Sequence, residues 1–315
     1  MNPKRQSTGS RPLKPDHRDF KLHPYFGAAS IAMLPPGGLG RKPFSLNNQS
    51  YTQYCTACAT SEANAFLRGV PMSFEWQAAK IGQLAGAPIL NGADPRVAMK
   101  AGILYGSLPK DKAPYSLSDG AEFVAQYLSW SPSLDLIAGQ NEDASYFQVN
   151  TGPYDAFDNI RAALWDAYQE RIANKEDKQD VVMAFTQWFQ EFNVTRVTYV
   201  PPRPLAGTSP IFSGIMNFLQ RFLPSIFGGE FWHAYLFIDW NNRDELVVQN
   251  SYGNAWGDAG LQYFSRATVN ALFADYRAGA FMYKEVKPGD VKSWQEQQSS
   301  LQSVYAYIIN RLTGK

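Results

Sequence analysis

Twelve consecutive residues, from Thr56 to Leu67 (Thr-Ala-Cys-Ala-Thr-Ser-Glu-Ala-Asn-Ala-Phe-Leu), include four alanines and neither glycine nor proline. Such a stretch reads as a helix. Its small side chains let neighbouring elements come close to its axis, so it predicts a helix in the centre of a domain. Cys55 immediately precedes it. A helix N-terminus offers backbone N–H groups without intrahelical partners and the positive end of the helix dipole. A cysteine held there is drawn toward thiolate.

Cys55 and Cys58 are the chain's only cysteines, which excludes a disulfide-rich secreted scaffold and points to a reducing compartment. Three further readings of the pair compete. Free cysteines are often simply buried. A Cys-x-x-Cys redox pair needs a closely preceding thioredoxin-like strand, which is missing here. A metal site needs more ligands than this chain supplies nearby, since His17 and His23 lie far upstream.

The remaining histidine, His233, leads into Ala234-Tyr235-Leu236-Phe237-Ile238, an apolar run of the length of a buried strand. Leu246-Val247-Val248-Gln249 reads as its partner, with Asn241-Asn242-Arg243-Asp244 as the turn. A histidine before an apolar strand is commonly structural. The predicted hairpin, however, sets His233 beside Asn250, whose amide can fix the tautomer and orientation of an imidazole. A thiol, an imidazole and an orienting amide are the parts of a thiol acyl-transfer site.

These segments resemble the papain-like (C1) cysteine peptidases, and more narrowly a bacterial, archaeal and phage branch without the papain disulfides. Gln49 stands six residues before Cys55, as the oxyanion donor of that family does before its nucleophile; Thr52 stands six before Cys58. Cys55 therefore matches the nucleophile and Gln49 the oxyanion donor. His233-Ala234 matches the general base, and Asn250 in Asn-Ser-Tyr-Gly matches the orienting asparagine of Asn-Ser-Trp-Gly. Trp256-Gly257 and Gly260 match the elements that follow, with Trp256 expected to shield the His–Asn contact and flank the cleft. Asn91-Gly92-Ala93-Asp94-Pro95 resembles the Asn-Gly-Gly-x-Pro loop that hydrogen-bonds the substrate backbone at the second residue before the scissile bond. Pro15 to Phe20, Met33 to Pro36 and Tyr105-Gly106 give further family-like context.

The resemblance runs from about residue 13 to about residue 287. It implies an α+β fold of two lobes, a helical one around the Cys55 helix and an antiparallel β-rich one carrying His233 and Asn250. Residues 155–174 read as a helix between them, and Val181-Val182-Met183-Ala184-Phe185 as the first strand of the second lobe. It implies peptide-bond hydrolysis by a thiolate–imidazolium pair on a peptide or protein substrate, with no cofactor and no metal. Amidase or isopeptidase chemistry uses the same parts, and an inactive binding or structural module keeps the same fold.

Three departures stand out. Thr56 replaces the tryptophan usual after the nucleophile, and Tyr252 replaces the tryptophan of Asn-Ser-Trp-Gly. The Cys-to-His separation, 233 − 55 = 178 residues, exceeds the roughly 130–150 of papain itself. The excess falls in an insert at about 195–230. Within it Ile211, Ile215, Phe218, Leu219 and Phe222 lie three or four apart, so 211–227 reads as an apolar-faced helix. It packs on the body, covers the cleft or docks a partner. A flexible stretch, 1–12, precedes the domain, and a helical extension, 288–315, follows it as another candidate docking element. No inhibitory propeptide is expected ahead of the nucleophile. The formal net charge of +1 gives no electrostatic case for nucleic acid or a membrane surface. No signal-peptide or membrane-spanning pattern is evident, so the expectation is cytoplasmic, or virion-associated if phage-encoded.

Overall fold

The computed structural model describes residues 10–13, 31, 33–49, 52–89, 92–113, 132–140, 144–150, 154–189, 192, 194–198 and 231–285. The expected helix at 211–227, the extension 288–315 and Asn91 lie outside these residues, as does most of the insert.

Six helices and seven strands occur among the described residues. The helices are α1 Cys55–Arg68, α2 Phe74–Ala85, α3 Pro95–Tyr105, α4 Pro132–Gly139, α5 Ala156–Asn174 and α6 Arg266–Leu272. The strands are β1 Ala144–Gln148, β2 Val182–Trp188, β3 Arg196–Val197, β4 Phe231–Trp240, β5 Glu245–Gln249, β6 Leu261–Ser265 and β7 Gly279–Glu285. They form one sheet in the order β1-β7-β2-β4-β5-β6-β3. All its pairings are antiparallel except β3 with β6.

Alternation along the central strands sends neighbouring side chains to opposite faces. Ala234, Leu236 and Ile238 of β4 share an apolar cluster with Met183, Phe185, Phe281 and Tyr283, and with Cys55, Ala59, Ala63 and Phe66 of α1. Tyr235 and Phe237 join Val182, Ala184, Ala280 and Met282 against Phe157, Ile160 and Leu164 of α5 and Val269 of α6. Both faces of the sheet are thus covered, which is why β4 reads as an almost unbroken apolar run rather than an alternating one. On its far side α1 packs against α2 and α3. Every residue of α1 except Arg68 is buried, as expected of a central helix with a small-residue surface. This is the α+β, two-lobe arrangement expected from the sequence, with α1 and the sheet meeting at the lobe junction.

Several boundaries follow from local chemistry. Asp155 caps α5 by accepting the Asp158 N–H, and Lys175 ends it in the left-handed region. Asp94 accepts the Arg96 N–H ahead of Pro95, the first residue of α3. The β4–β5 hairpin turns at residues 241–244, and its register shifts once, between Phe237 and Asp239. That bulge sits beside Asp239, a buried carboxylate that accepts the backbone N–H groups of Leu39 (2.7 Å), Arg41 (2.8 Å) and Trp240 (2.8 Å). Arg41 in turn donates to the Asp180 and Ile238 carbonyls, at 2.5 and 3.2 Å. Gly38 enters this turn at φ +80°, where a Cβ would come within 1.9 Å of the Trp240 carbonyl oxygen. The strap 38–49 is therefore anchored on the sheet before it reaches α1.

Asp239→Ala would leave these buried N–H donors without their carboxylate. It is expected to lower unfolding stability by about 2–4 kcal/mol in urea titration. An unchanged midpoint would mean that the strap is held elsewhere.

Candidate active site

His233 lies in the third position of β4, which begins two residues earlier than the apolar run in the sequence suggested, and has no exposed surface. Its Nε2 is 2.8 Å from Asn250 Oδ1. The same Oδ1 accepts the Ser251 backbone N–H at 2.8 Å. An oxygen fixed as acceptor by a backbone donor requires the proton on Nε2. Nδ1 is then the basic nitrogen of the neutral ring, and it is buried with no hydrogen-bond partner. Burial lowers the imidazole to about 4, opposed by the hydrogen bond it donates to Asn250 Oδ1.

Aromatic rings enclose this imidazole. Tyr252 stacks on it, with centroids 5.2 Å apart and planes 6° from parallel. Trp188, at the end of β2, meets it edge-on at 4.5 Å. Trp256 packs on Tyr252 at 5.2 Å, one ring further out. The shield expected of Trp256 is thus supplied directly by Tyr252 and Trp188, with Trp256 covering Tyr252. Trp188 gave no motif in the sequence; its position at the end of a strand beside the histidine strand was the available signal.

Cys55 is the first residue of α1 and is buried. The N-cap residue, Tyr54, makes no side-chain cap, so the helix start is not closed by a capping hydroxyl or carboxylate. Burial raises the Tyr252 phenol, and the charge of Cys55 adds to that shift. Cys58, one turn deeper, has its thiol pushed well up by burial, with Glu62 and then Cys55 adding to the shift. The two cysteines form no disulfide.

Gln49 is brought to the same place by strand-like pairing across the lobes. Its N–H donates to the Ser251 carbonyl at 2.9 Å, and Asn48 bridges Tyr252. Its side-chain Oε1 accepts from Ser251 Oγ at 2.5 Å, and its Nε2 donates to the Thr52 carbonyl at 3.2 Å. Beneath this pairing lies Glu62, a residue absent from the sequence reading of the site. Its carboxyl accepts the Asn47 backbone N–H (2.8 Å) and the Gln249 Nε2 (2.9 Å). Gln249 also grips the Phe44 N–H and carbonyl, each at 2.9 Å. Burial raises the Glu62 carboxyl to about 8 against these hydrogen bonds. The only sequence hint of this clamp was an acidic residue inside an otherwise small and apolar helix.

In the candidate substrate loop, Gly92 adopts φ +81° and Ala93 is buried at the entry to α3. Its backbone carbonyl, however, is taken: it accepts the Arg11 N–H at 3.1 Å. Among the described residues no three metal-binding side chains gather into a site. None of the described helices is long and apolar enough to cross a membrane.

The fold is papain-like. Among solved structures, the chain is similar to xylellain, a cysteine protease from Xylella fastidiosa. The two are 19% identical with a TM-score of 0.63, over 90% of this chain and 99% of that one. It also matches proCathepsin B S9 from Trypanosoma congolense, at 12% identity and a TM-score of 0.49 over 89% of this chain and 86% of that one. A recombinant stem bromelain precursor matches at 14% identity and 0.49, over 88% and 76%. The assignment of a papain-like fold rests on the first of these. No protein-family model matches the chain, and no curated protein matches it.

The two buried titrating groups set opposite limits on stability. His233 stays neutral in the fold but protonates in the unfolded chain below its ordinary 6.5. Stability is therefore expected to fall as pH drops from about 6.5 to about 4, by roughly 3 kcal/mol. Glu62 ionises at about 4.5 when unfolded and about 8 when folded, so its contribution falls as pH rises across that interval. Denaturant midpoints against pH should show the acid limb flattened in His233→Gln and the upper limb flattened in Glu62→Gln.

Proposed function

We propose that the chain is a cysteine peptidase whose nucleophile is Cys55. The observation that carries this reading is the hydrogen bond between His233 Nε2 and Asn250 Oδ1. The hydrogen bond to Asn250 leaves the buried Nδ1 as the base beside a thiol at a helix start.

The sequence of events follows from these groups. His233 Nδ1 takes the Cys55 proton as Sγ attacks the peptide carbonyl. Burial alone disfavours the imidazolium, so its charge forms together with the thiolate, and the two titrate as a pair. The Gln49 amide and the Cys55 backbone N–H stabilise the developing oxyanion. The imidazolium then gives its proton to the leaving amine as the C–N bond breaks. In the second half His233 removes a proton from water, the hydroxyl adds to the thioester carbonyl, and the C–S bond breaks to release the carboxylic acid, with Sγ taking back the imidazolium proton. Asn250 holds the ring in one tautomer throughout, while Tyr252 and Trp188 keep water from the His–Asn contact. The Ala93 and Gly92 backbone, with Asn91, receives the substrate main chain, and Trp256 borders the cleft.

Substitution separates this chemistry from mere retention of the fold. Cys55→Ser is expected to abolish hydrolysis of peptide substrates. His233→Ala should lower kcat/KM by about 10²–10⁴-fold, and Cys58→Ser should leave it near wild type. Mass-spectrometric alkylation should label Cys55 below neutral pH in the wild type and lose that low-pH reactivity in His233→Ala. An ordinary thiol profile in both would remove the peptidase reading and leave a binding module with a papain-like fold.

A further inference from the structure

The chain's only two cysteines stand in the first turn of α1. Cys55 is the first residue of the helix and Cys58 the fourth, and no disulfide joins them. Residues three apart on a helix lie on neighbouring faces, with Cα atoms about 5 Å apart. That falls within the roughly 4.4–6.8 Å that a disulfide spans. Their Cβ atoms, about 5–6 Å apart on a regular helix, must close to about 4 Å for a bridge. The turn that carries them therefore has to loosen by a small amount.

Local bonding favours that loosening. The N-cap residue Tyr54 makes no side-chain cap, so no cap bond is given up. The Cys58 N–H donates to the Tyr54 carbonyl at 2.8 Å, the helical bond that closes the turn. Three carbonyls within the turn receive hydroxyls from the next one. Thr60 Oγ1 donates to the Thr56 carbonyl at 2.9 Å and the Ala57 carbonyl at 3.1 Å, and Ser61 Oγ to the Cys58 carbonyl at 2.9 Å. Hydroxyls that bond back onto the preceding turn bend a helix and weaken it slightly. The two thiols also differ in chemistry. Cys55 stands at the helix start, which favours thiolate. Burial pushes the Cys58 thiol well up, with Glu62 and then Cys55 adding to the shift, so Cys58 keeps its proton.

We propose that Cys55 and Cys58 form a reversible disulfide site, in which Cys58 captures a peroxide-oxidised Cys55 and spares it irreversible oxidation. This rests on the peptidase reading, which makes Cys55 the activated thiol. The Cys55 thiolate attacks one oxygen of hydrogen peroxide. The S–O bond forms, the O–O bond breaks, and the leaving hydroxide takes the proton held by His233 and departs as water. The sulfur of Cys58 then attacks Cys55 Sγ. The S–O bond of the sulfenic acid breaks, and the leaving hydroxide takes the Cys58 proton as a second water. Two thiols are thereby oxidised to one disulfide while peroxide is reduced to water. A dithiol reverses the step, attacking the bridge and ending as its own disulfide. With no thiol at residue 58, the sulfenic acid meets further peroxide and becomes sulfinic acid, which dithiols do not reduce. Such a pair protects its own nucleophile and oxidises no other protein, so it needs no thioredoxin-like strand ahead of it.

The test exposes the full chain to hydrogen peroxide and then to dithiothreitol, reading intact and peptide masses alongside peptide hydrolysis. Peroxide is expected to remove about 2 Da from the wild type by bridging Cys55 to Cys58, and dithiothreitol to restore the mass and the hydrolysis. Cys58→Ser is expected to gain about 32 Da on Cys55 and to recover about tenfold less hydrolysis than the wild type. Cys58→Ala carries the same comparison if the serine variant does not fold, and the wild-type mass decides if neither folds. A wild type that reaches the sulfinic acid without first forming the bridge overturns the proposal, as does equal recovery in wild type and variant. Hydrolysis before oxidation checks the peptidase reading separately. A chain that forms the bridge but never cleaves peptide refutes that reading and leaves the disulfide site standing. A chain that cleaves peptide and forms no bridge refutes the disulfide site alone.

Discussion

The contact on which the site depends is the one between Glu62 and Gln249 across the lobe junction. Glu62 lies seven residues after Cys55 and so on nearly the same face of α1, two turns deeper. Its carboxyl joins the helix to β5 through Gln249 and to the strap through the Asn47 N–H. Gln249 completes the junction by holding both backbone groups of Phe44. Gln49 and Asn250 each begin immediately beyond these anchors. Gln49 and Asn250, the proposed oxyanion donor and orienting amide, are therefore referred to one buried carboxyl, and through α1 to the Cys55 thiol as well. A buried polar junction of this kind is demanding because each member left unpaired is costly.

Burial on both faces of the sheet explains what the sequence made legible. Helix α1 was visible because small residues without breakers have few other uses. Helix α5 was visible from its Asp155 cap and its length, and the β4–β5 hairpin from two apolar runs around a polar turn. The strands β1, β3, β6 and β7 were not read. β3 has only two residues, and β6 alternates in burial over five positions, too short a pattern to separate from loop. Their place in the sheet is set by pairing with distant strands, which local sequence does not record.

The site divides in the same way. Cys55, His233, Asn250 and Gln49 could be singled out because the proposed chemistry demands particular side chains at particular spacings, and the structure joins His233 to Asn250 and Gln49 to Ser251 by hydrogen bonds. Trp188 and Glu62 were not, because packing and clamping are met by many residue types, and their partners are far away in sequence. Tyr252 was noted as a replacement for tryptophan, yet its stacking on the imidazole is visible only in three dimensions. Nothing in Ser-Arg-Pro-Leu, residues 10–13, announces the Trp232, Ala93 and Arg277 carbonyls with which its backbone pairs.

The single bulge of the β4–β5 hairpin has a consequence for alignment. On the His233 side of the bulge, Leu236 faces Gln249 and Phe237 faces Val248, so paired numbers sum to 485; beyond it Asp239 faces Val247, and the sum is 486. Continuing the first count past the end of β5 sets 233 opposite 252, which is the observed stack of imidazole and phenol. Under the second count His233 would face Gly253, which has no ring to offer, and every intervening side chain would change faces. The bulge thus acts as a phase adjustment between the hairpin tip and the site. Length changes in the tip leave the phase intact, while the loss of one residue between Phe237 and Asp239 resets it for the whole strand.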